Sequence, residues 1–354
     1  MIRRHKGRGA ASNPEGRFES TRYQAEDDGW YREDDEQRPA TEVREELARS
    51  VISRNDSPDV SFEQSTNPYR GCEHGCIYCF ARPSHSYLNL SPGLDFETKL
   101  FAKTNLEEVL RGELSKRSYV CKPINIGSNT DPYQPIEKQW RLTRAALALL
   151  NECNHPCTIV TKNALVERDL DILVSMAKRK LVQVFISINS LDNKLASKLE
   201  PRASAPHRRM KAVGTLAQAG VPVGVLVAPI IPALNERDLE AVIEQAAANG
   251  ANAAGYTCIR LPYELKQLFR EWLDLHYPDR AAHIMSLIQQ MNGGKDYDSN
   301  FATRMRGQGV FAEIIRKRVE VARRKSGIDR AWDVLLDTSQ FVPPRIHSPQ
   351  GELF

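Results

Sequence analysis

The chain has 354 residues, 41% hydrophobic and 27% charged, with a formal net charge of +4. That is an ordinary soluble balance, too weakly basic to argue by itself for nucleic acid, and no run of about 18 apolar residues offers a membrane span. Seven cysteines, an odd number with no apolar leader before them, point to the reducing cytosol and to metal-bound or free thiols over disulfides.

Residues 1–57 are polar, with Glu26-Asp27-Asp28 and Glu33-Asp34-Asp35-Glu36 set among basic residues. So little apolar surface predicts a mostly disordered tail, with a short helix over 40–50. From 58 to 276 the pattern changes. Short apolar runs at 60–64, 123–127, 157–161, 182–188, 221–228 and 253–259 read as buried parallel strands. Amphipathic stretches at 97–116, 138–151, 166–179, 206–219, 236–248 and 264–276 read as the helices between them. Strand–helix alternation of this kind predicts an α/β fold with right-handed crossovers. Six units make a partial (β/α)6 TIM-like barrel. Residues 277–340 form a helical extension, with helices at 280–291 and 303–325 and no strand between them. They close the open side of the barrel or pack beside it. Residues 341–354 hold three prolines and read as an extended tail.

The loop after the first predicted strand carries Cys72-Glu73-His74-Gly75-Cys76-Ile77-Tyr78-Cys79. Three thiolates on one short loop can hold three corners of a cubane iron–sulfur cluster, and a fourth Cys would complete the usual set. The run has no fourth, so one iron is left for a substrate or cofactor. Zinc is the competing reading. A structural zinc wants a fourth Cys or His; His85 is a feasible one, whereas His74 lies awkwardly between two of the ligands. In a β/α barrel the loops after the strands build the site, which places these thiols at the barrel mouth.

Residues 60–260 resemble the radical S-adenosylmethionine superfamily. Its signature is C-x3-C-x-aromatic-C after the first barrel strand, and Cys72, Cys76, Tyr78 and Cys79 match it. The resemblance implies a [4Fe–4S] cluster on the three cysteines and S-adenosyl-L-methionine on the fourth iron. It also implies reductive cleavage to a 5′-deoxyadenosyl radical, an electron donor such as flavodoxin or ferredoxin, and an unidentified substrate. Within the superfamily the chain is similar to the spore photoproduct lyase-like branch. That similarity lies in Gly127-Ser128-Asn129-Thr130-Asp131-Pro132-Tyr133-Gln134, Thr161-Lys162-Asn163, Ser187-Ile188-Asn189-Ser190, Leu199-Glu200-Pro201-Arg202 and Ala228-Pro229-Ile230-Ile231-Pro232.

The resemblance suggests roles for these strand ends. Ser128 and Asn129 offer small polar groups to a zwitterion. Lys162 pairs with the methionyl carboxylate. Arg202 holds a carboxylate or ribose oxygens through its planar fork, and Tyr78 lies at the adenine end. Asp131 is either part of the site or a turn-starting cap. Ser187 and Asn189 share one strand face with Phe185, the face that looks inward. A lyase acting on a DNA photoproduct, and hence a nucleic-acid partner, is the alternative with the same chemistry. That enzyme is expected to carry a hydrogen-donor thiol on the second strand, and Ile124-Asn125-Ile126-Gly127-Ser128 has none. A zinc-stabilised barrel serving as a scaffold is the alternative of a different class.

Cys153-Asn154-His155-Pro156-Cys157 repeats the C-x3-C spacing. It starts the third strand, however, as Cys121 starts the second. Those positions belong to the barrel base, where buried thiols act as small hydrophobes. Cys258, near the end of the sixth strand, is the candidate hydrogen-atom donor or acceptor. The basic run His207-Arg208-Arg209-Met210-Lys211 is expected to be a solvated helix face.

Overall fold

A computed structural model describes residues 4–18, 39–328 and 335–345. Ten strands are present among them: β1 Glu42–Glu46, β2 Ser53–Arg54, β3 Gln64–Thr66, β4 Tyr69–Arg70, β5 Lys99–Lys103, β6 Ile124–Ile126, β7 Cys157–Thr161, β8 Val182–Ser187, β9 Val223–Ile230 and β10 Ala253–Cys258. The main helices are α1 Asp95–Thr98, α2 Leu106–Leu114, α3 Glu137–Trp140, α4 Leu142–Glu152, α5 Leu170–Ala177, α6 Asn193–Leu199, α7 Pro206–Gln218, α8 Leu239–Ala248, α9 Leu265–His276, α10 Pro278–Met291 and α11 Gly309–Lys325.

Seven strands form the main sheet in the order β10-β9-β8-β7-β6-β3-β2. The six from β3 to β10 pair in parallel, and β2 adds an antiparallel edge on β3. These six match the predicted barrel strands to within a few residues. Alternation along the strands decides what faces where. Ile124, Ile126, Ile159, Val184 and Ile186 point outward into the principal core, with helix residues such as Leu147, Met176 and Leu216. Asn125, Thr158, Val160, Phe185 and Ser187 point the other way and line a cavity. Register aligns Ser65 with Asn125 and Asn125 with Thr158. It also aligns Phe185 with Gly224. A Cβ on Gly224 would come within 2.6 Å of the Phe185 ring, so the glycine leaves the space that the ring fills.

The first 57 residues depart from the expected tail. Of the expected disordered stretch, residues 1–3 and 19–38 lie outside the described residues. Arg8, Gly9, Ala10 and Ala11 are buried. The expected helix over 40–50 is instead strand β1, paired in parallel with β5. The expected helix over 97–116 is also broken, because Lys99–Lys103 is β5 with alternating burial. Strands β1, β5 and β4 make a small second sheet. Local propensity loses here because each strand supplies the other's backbone partners. Of the expected extended tail, residues 341–345 carry neither helix nor strand, and 346–354 lie outside the described residues.

The helices beyond β10 pack beside the barrel. Phe269 and Trp272 of α9 share a second core with Ile77 and Tyr78 of the cysteine loop, and Trp272 Nε1 donates to the Lys198 carbonyl at 3.1 Å. On α11, Arg318 pairs with Glu240 of α8 at 2.7 Å. No helix among the described residues is long and apolar enough to cross a membrane.

Candidate active site

Residues 71–82 follow β4 and form the cysteine loop. Its turns need two positive-φ glycines, Gly71 at 73° and Gly75 at 67°, a region glycine enters without steric cost. A Cβ on Gly75 would meet Glu97 Oε2 at 2.7 Å and Pro201 at 3.2 Å. The loop closes on itself and its surroundings through backbone bonds. Cys72 N donates to the Phe96 carbonyl at 2.9 Å, Cys79 N to Cys76 at 3.2 Å and Ile77 N to Leu199 at 3.1 Å.

A buried ion pair sits under the loop. Arg82 and Glu97 are both fully buried and 2.5 Å apart. Arg82 Nε also donates to the Cys76 carbonyl at 2.9 Å, and Nη1 to the Gly93 carbonyl at 2.8 Å. Glu97 accepts from the backbone of Gly9 at 3.0 Å and of Ala10 at 2.8 Å. Such a pair tolerates burial because its remaining lone pairs and protons are bonded. The amino-terminal segment is therefore strapped across the loop. A Cβ on Gly9 would lie 1.9 Å from the Gly75 carbonyl oxygen, so only glycine fits there. Farther along, Ser12 Oγ donates to Glu271 of α9 at 2.5 Å.

Cys72, Cys76 and Cys79 line one cavity of about 990 Å³ with Ser128, Asn129, Asp131, Lys162 and Ser187. Burial raises the Cys76 and Cys79 thiol pKa values, while the Lys162 charge opposes the rise at both. Asp131 is a junction as well as a lining residue. It accepts from Thr161 Oγ1 at 2.7 Å, from Lys162 N at 2.7 Å and from Tyr133 N at 2.9 Å. His74 Nδ1 lies 3.3 Å from its Oδ2. Burial alone would neutralise both groups, yet each charge holds the other. Asp131 is lowered to about 2 and His74 is raised to about 10, with Cys72 also contributing. The two expected roles for Asp131, site wall and turn cap, thus coexist.

Four predicted residues lie elsewhere. Tyr78 is buried away from the cavity wall and its hydroxyl donates to Glu200, while Asn189 Nδ2 donates to Tyr78 at 3.3 Å. Asn189 therefore acts behind the wall. Arg202 is also off the wall, 2.8 Å from Glu73 of the cysteine loop. The fork that was expected to hold ligand oxygens holds a buried carboxylate. Cys258 is buried, its sulfur lies 3.1 Å from the Arg306 carbonyl, and the expected hydrogen-atom donor is not among the residues that line the cavity. The expected solvated face of α7 also fails at Arg209. Arg209 is buried, pairs with Glu200 and donates to the Ser187 carbonyl at 2.8 Å.

Sequence reasoning missed Asn67, whose Oδ1 accepts from the Asn129 and Thr130 backbones at 2.9 and 3.2 Å and whose amide donates to Ser128 Oγ at 3.1 Å. Asn67 sits two residues before β4 with no motif around it, and only the folded loop gives it this role. The arginines of the cavity rim were missed as well.

The competing zinc set loses its fourth ligand. His85, the candidate fourth zinc ligand, has Nε2 2.9 Å from the Lys99 carbonyl and is lowered to about 4 by burial. Among the described residues no three His, Cys, Asp or Glu gather as ligands of one metal ion would.

The family model for the Radical SAM superfamily matches residues 66–246. This chain belongs to the radical SAM superfamily. Uncharacterized protein Mb2609c of Mycobacterium bovis is 32% identical over 249 residues, covering 70% of this chain and 73% of the relative. Uncharacterized protein MJ0683 of Methanocaldococcus jannaschii is 28% identical over 213 residues, 60% of this chain and 76% of its own. Among solved structures, a spore photoproduct lyase variant aligns with TM-score 0.56 at 17% identity over 82% of this chain and 81% of that one. Another variant, with bound AdoMet and dinucleoside spore photoproduct, aligns with TM-score 0.54 at 18% identity over 80% and 79%. Identities this low show a common fold and nothing of the substrate. Membership makes the chain a radical SAM enzyme and implies a [4Fe–4S] cluster and S-adenosylmethionine.

Proposed function

We propose that Cys72, Cys76 and Cys79 hold a [4Fe–4S] cluster at the barrel mouth and that S-adenosylmethionine binds against it. When bound, the two supply a 5′-deoxyadenosyl radical that abstracts hydrogen from the substrate. The observation that carries this reading is that the three cysteines and the ends of β6, β7 and β8 open onto the same cavity.

The chain's own groups divide the remaining work. Lys162 presents a cation to the carboxylate of S-adenosylmethionine and stabilises the nearby thiolates. Ser128 and Asn129, fixed by Asn67, offer hydrogen-bonding groups to the zwitterion, and Ser187 lines the same wall. Asp131 aims the Lys162 backbone and keeps His74 cationic beside Cys72. Behind the wall, Tyr78, Glu200 and Arg209 lock the cysteine loop to α7. Repair of a DNA photoproduct gains nothing from the site, since Asn125 occupies the second strand where the donor thiol is expected and Cys258 is not among the residues that line the cavity.

Anaerobically reconstituted protein is expected to bind about four irons and four sulfides per chain, following Cys ligation of a cubane. With dithionite and S-adenosylmethionine it forms 5′-deoxyadenosine, read by chromatography. An intact reducible cluster that yields none overturns the proposal.

A further inference from the structure

The charges lining the cavity do not all find partners. Asp131 is committed to His74. Asp59, the other acidic residue of the lining, is committed to Arg304, which also donates to Ser57 Oγ at 2.7 Å. Three cations of the lining remain: Lys162, Arg260 and Arg306. Among the described residues no carboxylate lies within ion-pair distance of any of them. The carboxylate of S-adenosylmethionine accounts for Lys162 under the function proposed above. Nothing there accounts for the two arginines.

Both are held in place by aromatic faces and not by acids. Arg260 follows β10, and its guanidinium lies 4.4 Å from the Phe80 ring centroid. Phe80 is the residue after Cys79, so the contact fixes Arg260 next to the cysteine loop. Arg306 lies 4.4 Å from the Tyr256 ring centroid, bonds the Tyr256 carbonyl at 3.4 Å and interacts with the Tyr256 side chain. Ring contacts orient a guanidinium while leaving most of its five N–H donors free. Arg260 is half-buried, and burial lowers its pKa, the signature of a cation that lacks a matched anion. Strands β7 and β10 are separated by β8 and β9, so the arginine pair and Lys162 stand on different parts of the wall.

We propose that Arg260 and Arg306 form an oxyanion subsite that selects a substrate carrying a carboxylate or phosphate. The inference rests on the radical SAM reading for Lys162 and names the substrate class that the reading leaves open. The cavity floor complements it. Asn125 is buried, donates to Thr158 Oγ1 at 2.9 Å and keeps the other end of its amide without a protein partner. Across the floor, Phe185 and Leu226 cluster with Val160 and Ala228. The substrate therefore has an anionic end at the rim, a polar group for Asn125 and an apolar part against Phe185. Arg forks suit planar carboxylates and phosphates alike.

The test titrates anaerobically reconstituted wild type and Arg260→Gln/Arg306→Gln protein with three probes by calorimetry: succinate, inorganic pyrophosphate and a short oligothymidylate. 5′-Deoxyadenosine formation without substrate is measured alongside. Wild type is expected to bind at least one probe, and the double variant to bind it about tenfold or more weakly, the order of losing charge-assisted contacts. Its 5′-deoxyadenosine formation stays within about twofold of wild type. Preference for succinate, pyrophosphate or the oligonucleotide then assigns the anion to a carboxylate, a small phosphate or a nucleic-acid backbone. Arg306→Gln alone, at an exposed position, serves if the double variant folds poorly, and is expected to weaken binding in the same direction. Equal binding by wild type and variants, or no binding of any probe by wild type, overturns the subsite. Loss of 5′-deoxyadenosine in the variant assigns the arginines to S-adenosylmethionine and overturns it too. Absence of 5′-deoxyadenosine from wild type defeats the underlying reading instead, while the probe titration still reports on the arginines.

Discussion

The chain repeats the C-x3-C spacing at opposite ends of the barrel. At the mouth, Cys72, Cys76 and Cys79 sit among Lys162, Arg82, His74 and Asp131. At the base, Cys153 and Cys157 sit in the principal apolar core. Burial raises Cys76 and Cys79 at the mouth and the thiols at the base alike, but only the mouth supplies cations to oppose it. Cys153 is pushed to about 12 and Cys157 is raised further by burial and by Cys153. The half-buried Cys121 is pushed to about 11 by burial alone. His155 beside them is lowered to about 4, chiefly by burial, so it brings no charge at neutral pH. Equal spacing therefore does not give equal thiols; the field around the sulfurs decides how readily each ionises.

The largest expected effect separates the two ends directly. Cys72→Ala, Cys76→Ala or Cys79→Ala reduces bound iron after reconstitution to background, whereas Cys153→Ala retains it in full. Iron retained without Cys76, or lost without Cys153, breaks the contrast. Next comes Glu97→Gln, which leaves Arg82 buried without its counter-charge. It is expected to cost about 3–5 kcal/mol of stability, the usual result of removing one member of a buried pair, read by denaturant unfolding.

Asp131→Asn sharpens the electrostatic half of the comparison. Its carboxyl is lowered from 3.8 to about 2, so its stabilisation is present above 3.8 and is lost as pH falls through about 2. The variant loses that acid limb, and His74, raised to about 10 in the wild type, titrates lower by NMR. An unmoved His74 would mean that Asp131 is not what holds its proton. The smallest effect is at the base. Cys157→Ala should cost about 1 kcal/mol, an ordinary loss of packing, with cluster content and 5′-deoxyadenosine formation unchanged.

What the sequence disclosed was local or periodic. The cysteine run is eight consecutive residues, and the outward Ile124, Ile126, Ile159, Val184 and Ile186 repeat every second residue. Position in the barrel was legible too, because mouth and base are simply the two ends of each strand. Side-chain direction was harder to read. Asn189 shares parity with Ser187 but lies past the end of β8, where the alternation no longer holds. Arg202 and Tyr78 are motif-adjacent, yet buried carboxylates at Glu73 and Glu200 claim them. The strap of residues 8–12 was illegible for a different reason. It binds through backbone amides of Gly9 and Ala10, which any sequence possesses, to a partner 88 residues away. Polar composition predicts disorder only where no such partner exists.

That strap sets an order of events on the ribosome. Gly9 and Ala10 are made long before Glu97, the carboxylate that receives them. While the chain grows they have nothing to hold, and the cysteines emerge ahead of the glutamate as well. The earliest-made piece of the cysteine loop's surroundings is thus among the latest to find its place.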